Sequence, residues 1–187
     1  MFTLLTRPLV LFSVGLFCIY HFASMSDAPP IPKLTVRLHS PSIPASFDGP
    51  VAVSVTASVT NTAEAPVTLL NWGSPLDPRA NILGVFEIRD ADSDEPVALD
   101  EIRFRRVLPA PREDFAQIPA GDSIEVKVTI PHAPLIQGHR YTIRAKGWWQ
   151  AVWEAPLQDV PPEDLKELTG ALRGEFVSVP VPIETEQ

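Results

Sequence analysis

The fold class predicted by this sequence of 187 residues is all-β: two packed antiparallel layers with about seven to eight strands and one short C-terminal helix. Three observations carry the prediction. Apolar residues recur at a period of two in run after run, which puts them on one face of a strand. Short clusters rich in Gly, Asn and Asp separate those runs and supply turn chemistry. The 21 prolines sit mainly between the runs, where a missing N–H breaks no ladder bond.

The first 26 residues read as a secretory leader. Arg7 gives a lone positive charge, and Pro8 to Ala23 give about 16 mostly apolar positions before polar, Pro-rich sequence begins. A transmembrane helix needs roughly 20 apolar residues, so a retained signal anchor is the alternative reading. Cleavage after Ser26 fits the small residues Ser24 and Ser26. A linker is expected over 27–33, a single sandwich domain over 34–182 and a tail over 183–187, with the chain after Pro180 loosely tethered.

Within the domain, Leu34, Val36 and Leu38 open the first strand. Val51 to Asn61 is the longest alternating run: Val51, Val53, Val55, Ala57 and Val59 share one face, Ser54, Thr56, Ser58 and Thr60 the other. A short run around Leu69 and Leu70 follows, then a corner at Trp72-Gly73-Ser74-Pro75. Phe86 with Ile88, and Ile102 with Phe104, predict two further strands. Ile124, Val126, Val128 and Ile130 alternate with Ser123, Glu125, Lys127 and Thr129, and Tyr141, Ile143 and Ala145 repeat the signature. In Pro161 to Arg173 the period changes: Leu165, Leu168 and Leu172 are three and four apart, which predicts a short helix that Gly174 can close. Phe176 to Val181 adds a last strand or an extended arm. This set of short strands and turns is that of an immunoglobulin-like sandwich.

Charge and cysteine usage narrow the function. The formal charge is −8, and loss of Arg7 with the leader makes it one unit more negative. Such a surface repels nucleic-acid phosphates and anionic lipid, so neither nucleic acid nor, after leader cleavage, membrane is an expected partner. The one cysteine, Cys18, lies in the leader, so the mature chain has no thiol and no disulfide.

The order "SVTASVTNTAEAPVTLLNWGSPLD", "FEIRDADSDEPV", "IRFRRVLPAPREDFAQIPAGDSIEVKVTI" resembles the N-terminal pro-domain of fungal deuterolysin-like zinc metallopeptidases and their secreted relatives. In that family a V-T-N-T strand is followed by a Leu-Leu strand and a Pro-containing corner. A hairpin, a basic strand and an L-x-P-G-like turn come next. The match covers about residues 34–145. It departs at Ala120, an extra residue in the last turn, and at "GWWQAVWEAP", which has no counterpart. It departs further in lacking H-E-x-x-H, the spacing that sets two imidazoles one helical turn apart for zinc. The resemblance therefore implies a pro-domain-like module without its protease.

Catalytic and metal motifs are otherwise missing. His39, His132 and His139 have no adjacent Glu, and His132 and His139 read as surface histidines. The sequence holds no G-x-S-x-G elbow, P-loop or dinucleotide fingerprint. Glu113 with Asp114, and Glu163 with Asp164, are carboxylate pairs of the kind a glycosidase uses, but they stand in loop and helix-start contexts. Asp90, Asp92 and Asp94 imitate a calcium loop, yet Glu95 occupies the position that needs Gly and strands flank it, so an Asp-rich hairpin turn is expected. No cofactor, metal or enzymatic activity is predicted.

Two patches are candidates for binding a protein. Arg103, Arg105, Arg106 and Arg112 concentrate positive charge on an acidic chain. Alternation puts Arg103 and Arg105 on the outer face of their strand, either free to clamp a partner's acids or paired across the strands with Glu87 or Asp acids of the adjacent hairpin strand. Trp148, Trp149 and Trp153 form the second patch, at least one of them core. The resemblance implies a separate deuterolysin-like metallopeptidase as partner, with folding aid or inhibition as the role. The alternative is a secreted structural protein binding cell wall, host protein or itself. Oligomeric state is left open.

Overall fold

The computed structural model describes residues 32–103 and 105–186. The leader expected over 1–26 and most of the 27–33 linker lie outside them, as does Phe104. Ten strands are present among the described residues, arranged in two sheets that face each other. The first has the order β10-β1-β2-β6, from Glu184–Thr185, Leu34–Ile43, Val51–Asn61 and Ser123–Ala133. The second is organised around β7, Tyr141–Trp153. One edge of β7 carries β4 (Phe86–Asp90) and then β3 (Val67–Leu70), which in turn pairs with β5 (Phe115–Ile118). The other edge carries β9 (Val181–Pro182) and β8 (Leu172–Val177).

Register explains the core. Val59 stands opposite Val36 on one side and Ile124 on the other, so the apolar faces of three alternating strands coincide. Across the gap, Leu69, Ile88, Ile118, Ile143 and Trp149 meet that face and are almost fully buried. Each such aliphatic side chain contributes roughly 1.5–3 kcal/mol, without which chain entropy would win. Asn61 ends β2 and is itself fully buried. Its Nδ2 donates to the carbonyls of Ala65, Ile118 and Pro119 at 2.8, 3.1 and 3.1 Å, while its Oδ1 accepts from the Ala63 N–H at 2.9 Å. One side chain thus satisfies backbone groups of two turns.

Three expectations are corrected. Among the described residues no strand forms around Ile102: residues 97–103 and 105–111 are irregular backbone between β4 and β5, and Ile102 is exposed. The bridge between Arg89 and Pro96 closes off the β4 edge, and β5 takes the place beside β3 that a basic strand would need. The helix α1 spans only Pro162–Glu167, ended by Leu168 at φ 55, in the left-handed region. Leu172 and Gly174 belong instead to β8, because β7 has an unpaired edge there whose backbone groups require partners. The tail is not loose: β10 pairs parallel with Ser42 and Ile43 of β1, and the Glu186 N–H donates to the Ile43 carbonyl at 2.8 Å. No described helix is long and apolar enough to cross a membrane.

β7 also contains a phase change. Trp149 pairs with Gly174 but Val152 pairs with Leu172, so one extra residue enters β7 between them. Side chains beyond it swap faces. Trp149 and Val152 point into the main core, whereas Ala151 and Trp153 point outward into a second cluster with Leu70 and Val160, against which Leu165 and Leu168 pack.

Candidate functional site

The corner after β3 is built on Asp77. Its side chain is fully buried, yet it accepts hydrogen bonds from the backbone N–H groups of Gly73 (2.9 Å) and Arg79 (3.0 Å). Gly73 sits at φ 68, a conformation that favours glycine. Into this corner Arg106 inserts its guanidinium, with Nη2 2.5 Å from Asp77 Oδ2 and the charge 5.1 Å from the Trp72 ring centre. Trp72 Nε1 donates to Asp114 Oδ2 at 2.6 Å. The result is a shallow concavity of about 370 Å³, lined by Trp72, Arg79, Arg106, Val107, Pro111 and Asp114. Desolvating Asp77 is tolerable because the cation and the two N–H donors replace its water shell.

Arg106 therefore braces the loop and is not part of an open charged face. Arg103 and Arg105 are exposed, and neither makes an ion pair or side-chain hydrogen bond with another described residue. On either side of them three aliphatic side chains face solvent: Ile102 is 47% exposed, Val107 71% and Leu108 43%. Arg112 starts a 3-10 turn, Arg112–Asp114, and rims a small groove of about 160 Å³ floored by Ala110, Phe115, Leu157 and Leu165, with Lys166 on the far side. The structure thus places Arg103 and Arg105 on irregular backbone and Arg112 on the 3-10 turn that follows, all between β4 and β5 and none on a strand face.

Glu87 is not the partner of those arginines. It is held by Arg89 (3.0 Å), Arg144 (2.8 Å) and Lys146, all on β4 and β7. Burial by itself would raise its pKa, but hydrogen bonds from Lys146 and Arg89 and the nearby charges of Lys146 and Arg144 outweigh that and lower it to about 2.

The tryptophan patch divides. Trp149 is buried against Phe176, ring centres 4.6 Å apart. Trp153 is buried too, 6.0 Å from the Phe115 ring, and its Nε1 donates to the Thr169 carbonyl at 3.0 Å. Both are core residues, which corrects the expectation that they could contact a partner. Trp148 alone is open, 43% exposed on the outer face of β7 and opposite Glu175 of β8.

The acidic motifs are spent on local structure. Asp90 Oδ1 accepts from the N–H groups of Asp92 and Ser93, and Oδ2 lies 2.9 Å from His139 Nδ1. The histidine contact first, then those N–H bonds, hold Asp90 well below the usual carboxylate range. Asp92 pairs with Arg140, Asp94 with Arg89. Asp114 serves Trp72, and Asp164 accepts from Thr169 Oγ1. Among the described residues no three His, Cys, Asp or Glu side chains converge as metal ligands would. What sequence reading missed is Asp77 with Trp72; the only sequence signal was an Asp three residues after a turn Ser.

A family model described as an immunoglobulin-like domain matches residues 28–185. A protein of Arthroderma benhamiae, described as an uncharacterized secreted protein, is 42% identical over 181 residues, covering 94% of this chain and 91% of its own length. Among solved structures, Northeast Structural Genomics Consortium target SoR45 aligns at 9% identity and TM-score 0.44, over 83% of this chain and 89% of its own. The ASH/PapD-like domain 7 of human CEP192 aligns at 14% identity and TM-score 0.36, over 95% and 99%. Both structural likenesses are too distant to bear on function.

Proposed function

This chain belongs to the immunoglobulin-like domain family and is secreted, and from that premise we propose that it works as a non-catalytic module that binds a protein through the loop between β4 and β5. One observation carries the reading: Arg103, Arg105 and Arg112, which have no carboxylate partner among the described residues, share the β4–β5 connection with three exposed aliphatic side chains, and the Arg106–Asp77 contact braces it from behind. Loops fixed on a rigid scaffold are where binding residues concentrate. Arginine is enriched at interfaces because its planar fork meets carboxylates bidentately at small hydration cost. The complementary partner surface is acidic with apolar pockets.

The pro-domain resemblance stands on the sequence alone. It makes a separate deuterolysin-like metallopeptidase the partner to try first, with the module acting in trans as folding helper or inhibitor. A second reading, attachment to cell-wall polymer or a host surface, draws on the open indole of Trp148.

The test mixes the purified protein with such a peptidase and follows peptide hydrolysis and refolding yield. Slowed hydrolysis or increased yield at micromolar protein is expected, with Arg103→Glu plus Arg105→Glu abolishing it. Absence of both effects from the unmodified protein sinks the peptidase reading. An effect indifferent to the double reversal sinks the loop as the contact.

A further inference from the structure

β8 is an open edge. Leu172–Val177 pairs with β7 on one side, and no described strand is hydrogen-bonded to it on the other. Beside it runs a cleft of about 370 Å³ between β8 and β1, lined by Leu34, Val36, Arg37, Glu175, Phe176 and Val177. Exposed edges offer a row of N–H and C=O groups to any strand able to pair with them. Natural edges are usually blunted, yet this one leaves Val177 63% exposed, and Val179, just past its end, is 78% exposed.

The side chains along this edge are self-complementary. Arg173 and Glu175 lie on the same outer face, on either side of Gly174. Arg173 Nε and Nη2 donate to the neutral carbonyls of Gln150 (2.9 Å) and Leu168 (2.6 Å), and neither Arg173 nor Glu175 forms an ion pair with a described residue. If two copies of β8 lie antiparallel with Gly174 facing Gly174, each Arg173 stands directly opposite Glu175 of the other copy. The same register sets Val177 against Ala171, which is half-buried in the isolated chain. Opposite charges directly across an antiparallel pair are favourable, and glycine at the centre keeps side chains out of the axis. The contact uses one surface twice, as a two-fold interface requires.

We propose that the protein self-associates through β8 into a two-fold dimer whose second sheet runs continuously from one copy to the other, closed by two Arg173–Glu175 pairs.

Sedimentation equilibrium on the secreted protein and three variants tests it, with circular dichroism confirming that each is folded. The unmodified protein shows a concentration-dependent monomer–dimer equilibrium. Arg173→Glu and Glu175→Arg each put like charges opposite at two places and raise the dimer Kd about tenfold or more, while the double reversal restores it. A monomer up to about 1 mM, or a dimer indifferent to both single reversals, overturns the proposal. So does a double variant no better than the singles, which would leave Arg173 only its bonds to Gln150 and Leu168.

Discussion

Arg106 Nη2 and Asp77 Oδ2 meet at 2.5 Å behind the exposed loop, and the carboxylate is fully buried. Residues 29 positions apart are thereby joined into one rigid corner. Removing the cation strands a buried charge. Arg106→Ala should cost about 3 kcal/mol or more in urea unfolding, and the loop should become susceptible to proteolysis near Val107 before the domain unfolds.

The tryptophans separate by role. Trp149→Ala should lose about 3–5 kcal/mol of stability through the cavity it leaves beside Phe176, whereas Trp148→Ala should change it by less than about 1 kcal/mol. Equal losses for the two would contradict the burial assigned to them.

Gly147 lies where the corner approaches β7. A Cβ there would meet the Phe176 ring at 2.7 Å and the Gly73 carbonyl oxygen at 2.9 Å. The ring can shift but the backbone oxygen is fixed. Gly147→Ala should therefore destabilise by about 1–3 kcal/mol, read as a lowered midpoint in thermal unfolding.

Glu87 gives the chain an acid-labile clamp. Its folded-state pKa of about 2 lies below the ordinary 4.5, so the folded state binds the proton more weakly than the unfolded one. The stabilisation is complete above pH 4.5 and is lost as pH falls towards 2. Glu87→Gln should be less stable than the unmodified protein at pH 7, and the difference should shrink across that window. A constant difference from pH 7 to pH 2.5, measured by urea midpoints, would remove Glu87 from the acid response.

Asn61→Ala deprives the carbonyls of Ala65, Ile118 and Pro119 of their shared donor. A loss of about 3 kcal/mol is expected, because unpaired buried acceptors are costly. Retention of full stability in that variant would show that water replaces the amide.

Much of the architecture was legible in the chain. β2 and β6 were read correctly because their faces alternate without interruption, and a period of two admits one assignment of faces. The basic segment around Arg103 was misread as a strand because Ile102 and Phe104 carry the same period. Nothing local records that β5 already fills the neighbouring position. The helix was read too long for a related reason: Leu172 suits a helical stripe, but a vacant edge of β7 recruits it.

The site was only half legible. Arg103, Arg105 and Arg112 were found as charges, but Arg106 was counted with them, since its partner Asp77 is distant in the chain. Trp149 and Trp153, four positions apart, would share a face in a regular strand. The extra residue between Trp149 and Val152 sends them into separate clusters.

By itself the sequence determined an exported, acidic, cystine-free β-sandwich, because period, turn residues and composition act over a few neighbouring positions and are written there. Which arginine is anchored, which indole is open and which strand edge lies bare were decided only when distant segments packed. Those properties depend on who occupies the adjoining space, and a linear pattern holds no record of its neighbours.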